Sequence, residues 1–332
     1  MRNLLSVLVL LTALSVVSVS ARDYSQMYPS ETLQRVSKVY GKNIRDALYG
    51  EIKLQLLPDE LRSLDRVDLQ QPWDHTRDPF EFSANASNGV MLIPAFSVKF
   101  LDDLAIASAW FERKGCNKEA IFDYAAALDY SDHYLPSLLR ALQVPEKAYE
   151  LDSFVDDVSQ KVLKSSIAFI LLHELGHIHH NHVRYKGFDP AKARQEEAQA
   201  DQFALNVLRR MRLPPLGMAF WYTALSMRDP LVDGSPSQIH PLTAERMQAI
   251  ADTLRQHPED FIEAENRGRW DADTIRGLAS EFDGLAENLR DPDMRRLVKL
   301  RGAKATPKLL ASACDSQQHR QDWMNTFQRL FR

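Results

Sequence analysis

Residues 165–182 read S-S-I-A-F-I-L-L-H-E-L-G-H-I-H-H-N-H, and this stretch decides the fold class. Its first eight residues are apolar or small on nearly every side of a helix, which is typical of a central, buried helix. Five of the ten histidines of the chain follow within the next ten residues. We therefore predict one long, central helix over residues 151–182, with the histidines at its end.

The spacing of two of these histidines predicts a metal site. His173 and His177 are four residues apart, so they lie on one face of the helix and can contact the same cation. Glu174 borders that position and can contact a water there, which makes H-E-x-x-H a pattern of two ligands and a general base. A glycine inside a buried helix costs stability, so Gly176 indicates another segment packed closely against this helix.

Catalytic zinc needs a third protein ligand and one open position. Position 183, where a metzincin has its third histidine, is valine. Glu197 and Asp201 share a face of the next predicted helix. Glu197 is therefore the predicted third ligand, and Asp201 is the predicted acceptor that fixes the tautomer of a ligand histidine. Glu196 is a competing ligand, and a solvated acidic helix face is the alternative for the pair.

The other histidines leave several alternatives open. His179, His180 and His182 lie off the face of the first two ligands, so they are ligands only if the helix ends early. Otherwise they form a solvated helix end or a surface metal-buffering patch. His240 precedes a proline that opens a later helix, and Arg246 follows on that helix. Either side chain is a candidate to stabilise an oxyanion at the open metal position, while His240 also fits a loop histidine in a structural bond.

The rest of the chain predicts a mainly α fold with a small edge β-sheet, an α+β class. Val90 to Ile93 and Phe96 to Val98 suit short strands, and Pro94 restricts one of them to a sheet edge. Residues 66–88 are polar and rich in turn residues, and predict a loop. Helical spacing or composition predicts further helices over residues 31–49, 101–114, 118–130, 135–143, 190–212, 214–227, 241–255, 271–290 and the last twenty.

Charge, the N-terminus and the cysteines limit the setting. A net charge of −4 gives no reason to expect a nucleic-acid partner. Residues 1–21 combine one positive charge, a short apolar run and small residues, which predicts a cleaved signal peptide and export to a periplasmic or secreted location. An uncleaved anchor is the alternative. Cys116 and Cys314 either pair, as an oxidising compartment permits, or remain reduced and buried.

Three segments in order, H-E-L-G-H with His182, E-A-Q-A-D and H-P-L-T-A-E-R, resemble the HtpX and CAAX-prenyl-protease type of zinc metallopeptidase. These enzymes are gluzincins, and the likeness is to their soluble periplasmic-type branch, over roughly residues 85–255. The interval from His177 to Glu197 is shorter than usual in that family. It is nearer that of the ImmA/IrrE type and of phage-exclusion peptidases.

The resemblance implies a zincin-like core around the H-E-x-x-H helix and one zinc ion per chain. It implies that His173, His177 and Glu197 bind the ion and that Glu174 is the base. In that family a peptide substrate pairs with an edge strand along the cleft, and its counterpart here would include Val90, Leu92 and Ile93.

We therefore expect a zinc endopeptidase that acts on protein or peptide substrates in cell-envelope quality control or processing. The expected organisation is a signal peptide over 1–21, a metallopeptidase domain over 22–255 and a C-terminal helical cap over 256–332. One alternative is a latent or inactive zinc-binding protein with a chaperone-like or metal-buffering role, in which His240 closes the fourth metal position. Another is a structural helical protein in which H-E-L-G-H is accidental.

Overall fold

The computed structural model describes residues 24–75, 78–182, 189–228, 240–262 and 271–315. These residues are mostly helical and carry a three-stranded sheet, which confirms the prediction of many helices with little β-structure. The predicted signal peptide and most of the predicted last helix lie outside the described residues.

The α-helices of the described residues are, in chain order, α1 (Ser30–Asp46), α2 (Pro58–Leu64), α3 (Ala95–Lys114), α4 (Glu119–Tyr130), α5 (Leu138–Ala141), α6 (Ala148–Leu151), α7 (Ser153–His179), α8 (Pro190–Met211), α9 (Leu216–Ser226), α10 (Ala244–Gln256), α11 (Ala272–Arg290), α12 (Pro292–Lys304) and α13 (Pro307–Ala311). Single turns of other helix types are a π-helix over Ala47–Ile52 and 3₁₀-helices over Lys53–Gln55 and Pro258–Phe261.

The sheet contains β1 (Asp68–Gln70), β2 (Ser83–Asn85) and β3 (Val90–Leu92) in the order β1-β3-β2. The predicted loop over 66–88 is wrong, because two of these strands lie within it. Both strands are three residues long and largely polar, so they have no apolar run of their own. They form by pairing with β3, β1 in parallel and β2 antiparallel.

This topology corrects the predicted edge strand. β3 is the central strand, and its hydrogen bonds are shared between β1 and β2. Val90 and Leu92 therefore cannot offer a free edge to a peptide, and Ile93 lies just past the strand, where its N–H donates to the carbonyl of Gln70. The strand that lies at the sheet edge beside α7 is β2.

Phe96 to Val98 belong to a helix, which corrects the second predicted strand. Pro94 occupies the N-cap position of α3 in an extended conformation, and helical backbone follows at once. Nearly every residue from Ala95 to Ala107 is buried, so the apolar residues show no one-sided helical period that would distinguish a helix from a strand. Pro94 thus starts a helix instead of limiting a strand.

Helix α7 is the centre of the fold. It begins after Asp152, whose carboxylate accepts a hydrogen bond from the N–H of Phe154. It packs against α3, α8 and α9, and all its residues from 165 to 178 are buried. The predicted helix over 135–143 is shorter than expected, because Pro136 precedes it and Gln143 takes a positive φ of 54°.

The C-terminal helices pack on the rest of the protein. Gln248 on α10 donates to Asp283 on α11 at 2.9 Å, and Arg301 on α12 donates to Asp123 on α4 at 2.6 Å. A disulfide joins Cys116 to Cys314. The cysteines are therefore in the paired state, one of the two states that the sequence left open. The domain boundary at residue 255 stays a prediction. No helix in the described ranges combines the length and apolar character needed to cross a membrane.

Candidate metal centre

Close packing of α8 on α7 brings the site together. A Cβ atom on Gly176 would lie 3.0 Å from the Cα atom of Ala200 and 3.1 Å from the Cβ atom of Phe203. Any larger residue would push α8 away, so the glycine permits the close neighbour that its position indicates. The result is that Glu197, one turn before Ala200 on α8, lies against the histidine face of α7.

Four donor atoms converge at this crossing. The Nε2 atoms of His173 and His177 are 3.1 Å apart. Each lies 3.3 Å from an oxygen of Glu197. The Nδ1 atom of His240 is 3.4 Å from Nε2 of His173 and 3.0 Å from Oε1 of Glu197. Among the described residues these four form the group that could hold a metal ion, with all four atoms within 4.8 Å of one another.

Glu174 lies beside this group and is 2% exposed. Its Oε2 atom is buried and has no hydrogen-bond partner among the residues that the structure describes. Its Oε1 atom is 3.8 Å from Nε2 of His240. A buried carboxylate oxygen without a partner is costly, so its presence here points to a group that the carboxylate contacts in function.

Asp201 fixes the orientation of His173, as its position on α8 predicts. Its Oδ1 atom is 3.0 Å from Nδ1 of His173 and accepts the hydroxyl of Tyr222 at 2.5 Å. Arg246 donates to both oxygens of Asp201, at 2.7 and 2.9 Å. Despite burial, which acts in the opposite direction, the Arg246 charge and the His173 hydrogen bond lower the pKa of Asp201 to about 2.

Arg246 is engaged on every side, which does not fit a free oxyanion partner. Beyond its bonds to Asp201, its Nη1 atom lies 3.0 Å from Oε2 of Glu197 and donates to the carbonyl of Pro241 at 2.8 Å. Its Nη2 atom donates to the hydroxyl of Tyr222. The guanidinium group therefore holds the two carboxylates of α8 in place.

The electrostatic balance of the site favours ionised carboxylates. Burial opposes ionisation of Glu197, but the charges of His240 and Arg246 outweigh it and hold its pKa well below the usual range. Burial likewise opposes protonation of His173. Its hydrogen bonds to Asp201 and Glu197 outweigh that effect and raise the pKa of His173 to about 10 in the absence of metal.

His240 lies over the site from the segment that precedes α10. Its Nε2 atom is 3.2 Å from the carbonyl oxygen of Phe82, which can only accept a hydrogen bond. The Nε2 atom therefore carries the hydrogen, and in the neutral ring the lone pair of Nδ1 faces Glu197 and His173. His240 thus makes a structural bond to the main chain and also faces the other three donor residues, which the sequence offered as alternatives.

His182 is bonded to a ligand candidate, a contact that sequence reasoning missed. Helix α7 ends at His179, before this residue. The Nδ1 atom of His182 is 2.9 Å from Nδ1 of His177, and its Nε2 atom is 2.8 Å from Oε1 of Gln199. Burial, and then the charge of His177, lower the pKa of His182 to about 4. The signal in the sequence was its distance of five residues from His177.

The remaining histidines at the helix end lie outside the four-atom group. The Nδ1 atom of His179 is 3.1 Å from the hydroxyl of Ser63 on α2. The rings of His179 and Phe203 lie 5.0 Å apart, centre to centre. These contacts favour packing of the helix end over a metal-buffering patch.

A cavity of about 30 Å³ adjoins Glu174 and His173. Its other lining side chains are mainly aromatic, namely Phe80, Phe82, Phe169, Trp221 and Tyr222. None of these residues carried a recognisable sequence motif, because they come from a loop, from α7 and from α9. Val90, Leu92 and Ile93, the predicted substrate-binding residues, are not among the lining residues described for this cavity.

Comparison with protein-family models gives a match. A family model described as Peptidase U49 matches residues 113–265, which include all four donor residues, Glu174 and helices α7 to α10. The match indicates a peptidase family. No curated protein and no solved structure is significantly similar to the chain.

Proposed function

We propose that this protein is a zinc-dependent endopeptidase of the gluzincin type, with protein or peptide substrates. The observation that carries the proposal is the convergence of three imidazole nitrogens and one carboxylate at the crossing of α7 and α8. The peptidase family match covers the same helices and supports hydrolysis as the chemistry.

Hydrogen bonds to residues outside the donor set leave the facing ring nitrogens of His173 and His240 with a lone pair each. Ionised Asp201 accepts the Nδ1 hydrogen of His173, and the Phe82 carbonyl accepts the Nε2 hydrogen of His240. The neutral tautomers therefore direct lone pairs at each other and at Glu197. Such an arrangement is repulsive unless a cation lies between the atoms, and either protons or a metal ion can supply the charge.

The donor set fits zinc in its spacing and chemistry. Zinc binds histidine nitrogen and carboxylate oxygen at about 2.0–2.2 Å in a tetrahedron, which places the ligand atoms about 3.3 Å apart. Five contacts among the four residues range from 3.0 to 3.4 Å, and all four donor atoms lie within 4.8 Å of one another. His173, His177 and Glu197 would hold the ion, as in the predicted ligand set.

The chemistry divides between the ion and Glu174. A zinc ion held here supplies Lewis acidity, which polarises a peptide carbonyl and lowers the pKa of a neighbouring water. The unpartnered Oε2 atom of Glu174 accepts a proton from the attacking water, and Glu174 then delivers that proton to the leaving amine. Asp201, Arg246 and Tyr222 hold His173 and Glu197 in position throughout.

The edge strand β2 is the place where we propose that the substrate pairs. It lies against α7, and it follows directly after Phe82, whose carbonyl points at His240. An extended peptide added to β2 would run antiparallel or parallel to it by main-chain hydrogen bonds and pass the metal centre. This assigns to β2 the role that the sequence assigned to Val90, Leu92 and Ile93.

A latent form is the second candidate function, and the position of His240 favours it. Its Nδ1 atom is the fourth atom of the donor set, while its Nε2 atom donates a hydrogen bond to the main-chain carbonyl of Phe82, beside β2. In this arrangement the side chain blocks both the water position and the peptide edge. Activity then requires that His240 moves. An exported quality-control role remains part of the proposal and follows from the resemblance alone.

The test compares casein cleavage by the wild type, Glu174→Gln and Glu196→Gln. We expect Glu174→Gln to keep zinc at one ion per chain and to lose about 10²–10⁴-fold in cleavage rate, the usual contribution of a general base. Glu196→Gln, a change of the same kind on the neighbouring helix, should cleave normally. Full activity in Glu174→Gln would refute the mechanism.

His240→Ala separates the active from the latent form. If His240 closes the site, the variant should cleave casein faster than the wild type. If His240 stabilises the reacting carbonyl, the variant should be slower. Metal content should stay at one ion per chain in both cases, because His173, His177 and Glu197 remain.

A further inference from the structure

We propose that His182 is a positioning residue for the metal ligand His177, and that the motif that ends α7 places it there. The inference rests on the proposed function, since it assigns a role at the same metal centre. Neither the peptidase family match nor the set of four donor residues assigns this role to His182.

The end of α7 is a Schellman motif. The N–H of His182 donates to the carbonyl of His177 at 2.9 Å, and the N–H of Asn181 donates to the carbonyl of Ile178 at 3.2 Å. Asn181 takes the left-handed conformation that this motif requires, with φ of 54°. Arg66 braces the turn by donating to the side chain of Asn181 and to the carbonyl of Ile178.

This geometry explains why His182 meets His177. In a Schellman motif the second residue past the C-cap folds back on the third residue before it, and the contact is usually hydrophobic. Here those two positions are His182 and His177, so two imidazoles take the place of the hydrophobic pair. Five residues of spacing and an asparagine before the second histidine are the sequence requirements.

The hydrogen bonds of His182 then set the tautomer of His177. Nδ1 of His182 faces Nδ1 of His177 at 2.9 Å, so one of these nitrogens carries the hydrogen. Nε2 of His182 faces the amide oxygen of Gln199, which accepts only, so the hydrogen of a neutral His182 is on Nε2. Nδ1 of His182 is therefore the acceptor. His177 donates to it and directs its Nε2 lone pair at the donor set.

The two α7 ligands are thus oriented in different ways. His173 is backed by a buried carboxylate that Arg246 and Tyr222 hold, whereas His177 is backed by a neutral histidine and an exposed glutamine. Partners of this kind fix ring orientation, and their loss usually weakens metal binding by about 10–100-fold.

The experiment measures zinc affinity by competition with a chromophoric chelator for the full chain and three variants. His182→Leu removes the acceptor, and His182→Asn keeps an acceptor oxygen at the place of Nδ1. His180→Leu is the control, because His180 is an imidazole at the same helix end whose ring centre lies 5.4 Å from that of His182. Thermal unfolding of the metal-free proteins identifies any variant whose fold is damaged.

We expect zinc affinity to fall by about 10–100-fold in His182→Leu, to recover largely in His182→Asn and to stay unchanged in His180→Leu. Imidazole ¹⁵N spectra of the zinc-loaded wild type should show His177 protonated on Nδ1 and His182 on Nε2. This spectrum does not depend on any variant folding.

Equal affinity in His182→Leu and the wild type would overturn the inference and leave the proposed function standing. Equal loss in the Asn and Leu variants, or a His182 protonated on Nδ1, would overturn it as well. A wild type that binds no zinc would overturn the proposed function and, with it, this inference.

Discussion

Two buried polar clusters lie on helices of the same core, and they differ in whether each hydrogen-bond acceptor has a donor facing it. In the cluster on α3, Lys99 donates to Asp102 and Asp103, while Tyr28 and Tyr40 donate to the same two carboxylates. Every charge there faces an opposite charge or a donor.

In the metal centre, by contrast, ring nitrogens and a carboxylate face one another at 3.0–3.4 Å. Arg246 supplies a positive charge to Glu197 and Asp201 from one side. The ring nitrogens of His173, His177 and His240 nevertheless face one another, so a proton or a metal ion must lie between them. Buried ionisable groups are common to both clusters. What distinguishes a binding site is the convergence of acceptors that need a cation from outside.

Removal of the internal cation should give the largest effect. Lys99→Met leaves two buried carboxylates without a counter-charge, so we expect a loss of about 3–5 kcal/mol in the free energy of unfolding, measured by urea denaturation. Zinc affinity of the folded variant should equal that of the wild type. A parallel fall in zinc affinity would show that the α3 cluster contributes to the metal centre.

Removal of a proposed ligand should have the opposite effect from Lys99→Met: zinc affinity should fall, while the free energy of unfolding should change little. His177→Ala should weaken zinc binding by more than about 100-fold, the upper end for a residue that only supports a ligand. The control is His257→Ala, a histidine whose side chain is 46% exposed. Chelator competition measures both. If His177→Ala binds zinc as tightly as the control, His177 is not a ligand.

Each cluster contains a tyrosine whose hydroxyl donates to a buried carboxylate. Tyr222→Phe and Tyr28→Phe each remove this hydroxyl. Each should lower the free energy of unfolding by about 1.5–3 kcal/mol, the usual value for a hydrogen bond to a charged group. Only Tyr222→Phe should also weaken zinc binding. Unchanged zinc affinity in that variant would mean that Tyr222 does not help to hold Asp201.

A change of one pH unit should give the smallest change in zinc affinity, because it reflects the release of one proton. The pKa of His173 is about 10 in the metal-free site, so at pH 7.5 a zinc ion must displace a proton from Nε2. Zinc affinity should therefore rise about tenfold per pH unit as the pH increases toward 10. Titration calorimetry in buffers of different ionisation enthalpy counts the released protons. No release at pH 7.5 would contradict this protonation state.

Much of the helical fold could be predicted from local patterns. The long helices α7, α8 and α11 follow from apolar spacing and composition, and the placement of His173 and His177 on one face of α7 follows from a spacing of four. Glu197 and Asp201 were predictable because one short connection separates α7 from α8. These inferences need only the geometry of one helix or of two successive helices.

Features that depend on distant segments could not be predicted. β1 and β2 form only by pairing with β3. The start of α3 shows no helical period of apolar residues, because it is buried on all sides. Arg246 was expected at an open metal position, but the carboxylates of α8 surround its guanidinium group. The role of His182 depends on the turn after α7. The sequence predicted one helix over 151–182, whereas the helix ends at His179 and the turn follows.

The zinc K-edge X-ray absorption spectrum of the purified protein reports directly on the ligands of the ion. We expect one zinc per chain, nitrogen and oxygen ligands at about 2.0–2.2 Å and multiple scattering from at least two imidazoles. A protein that carries no stoichiometric zinc after expression with the metal present, or a spectrum without imidazole scattering, would contradict this expectation.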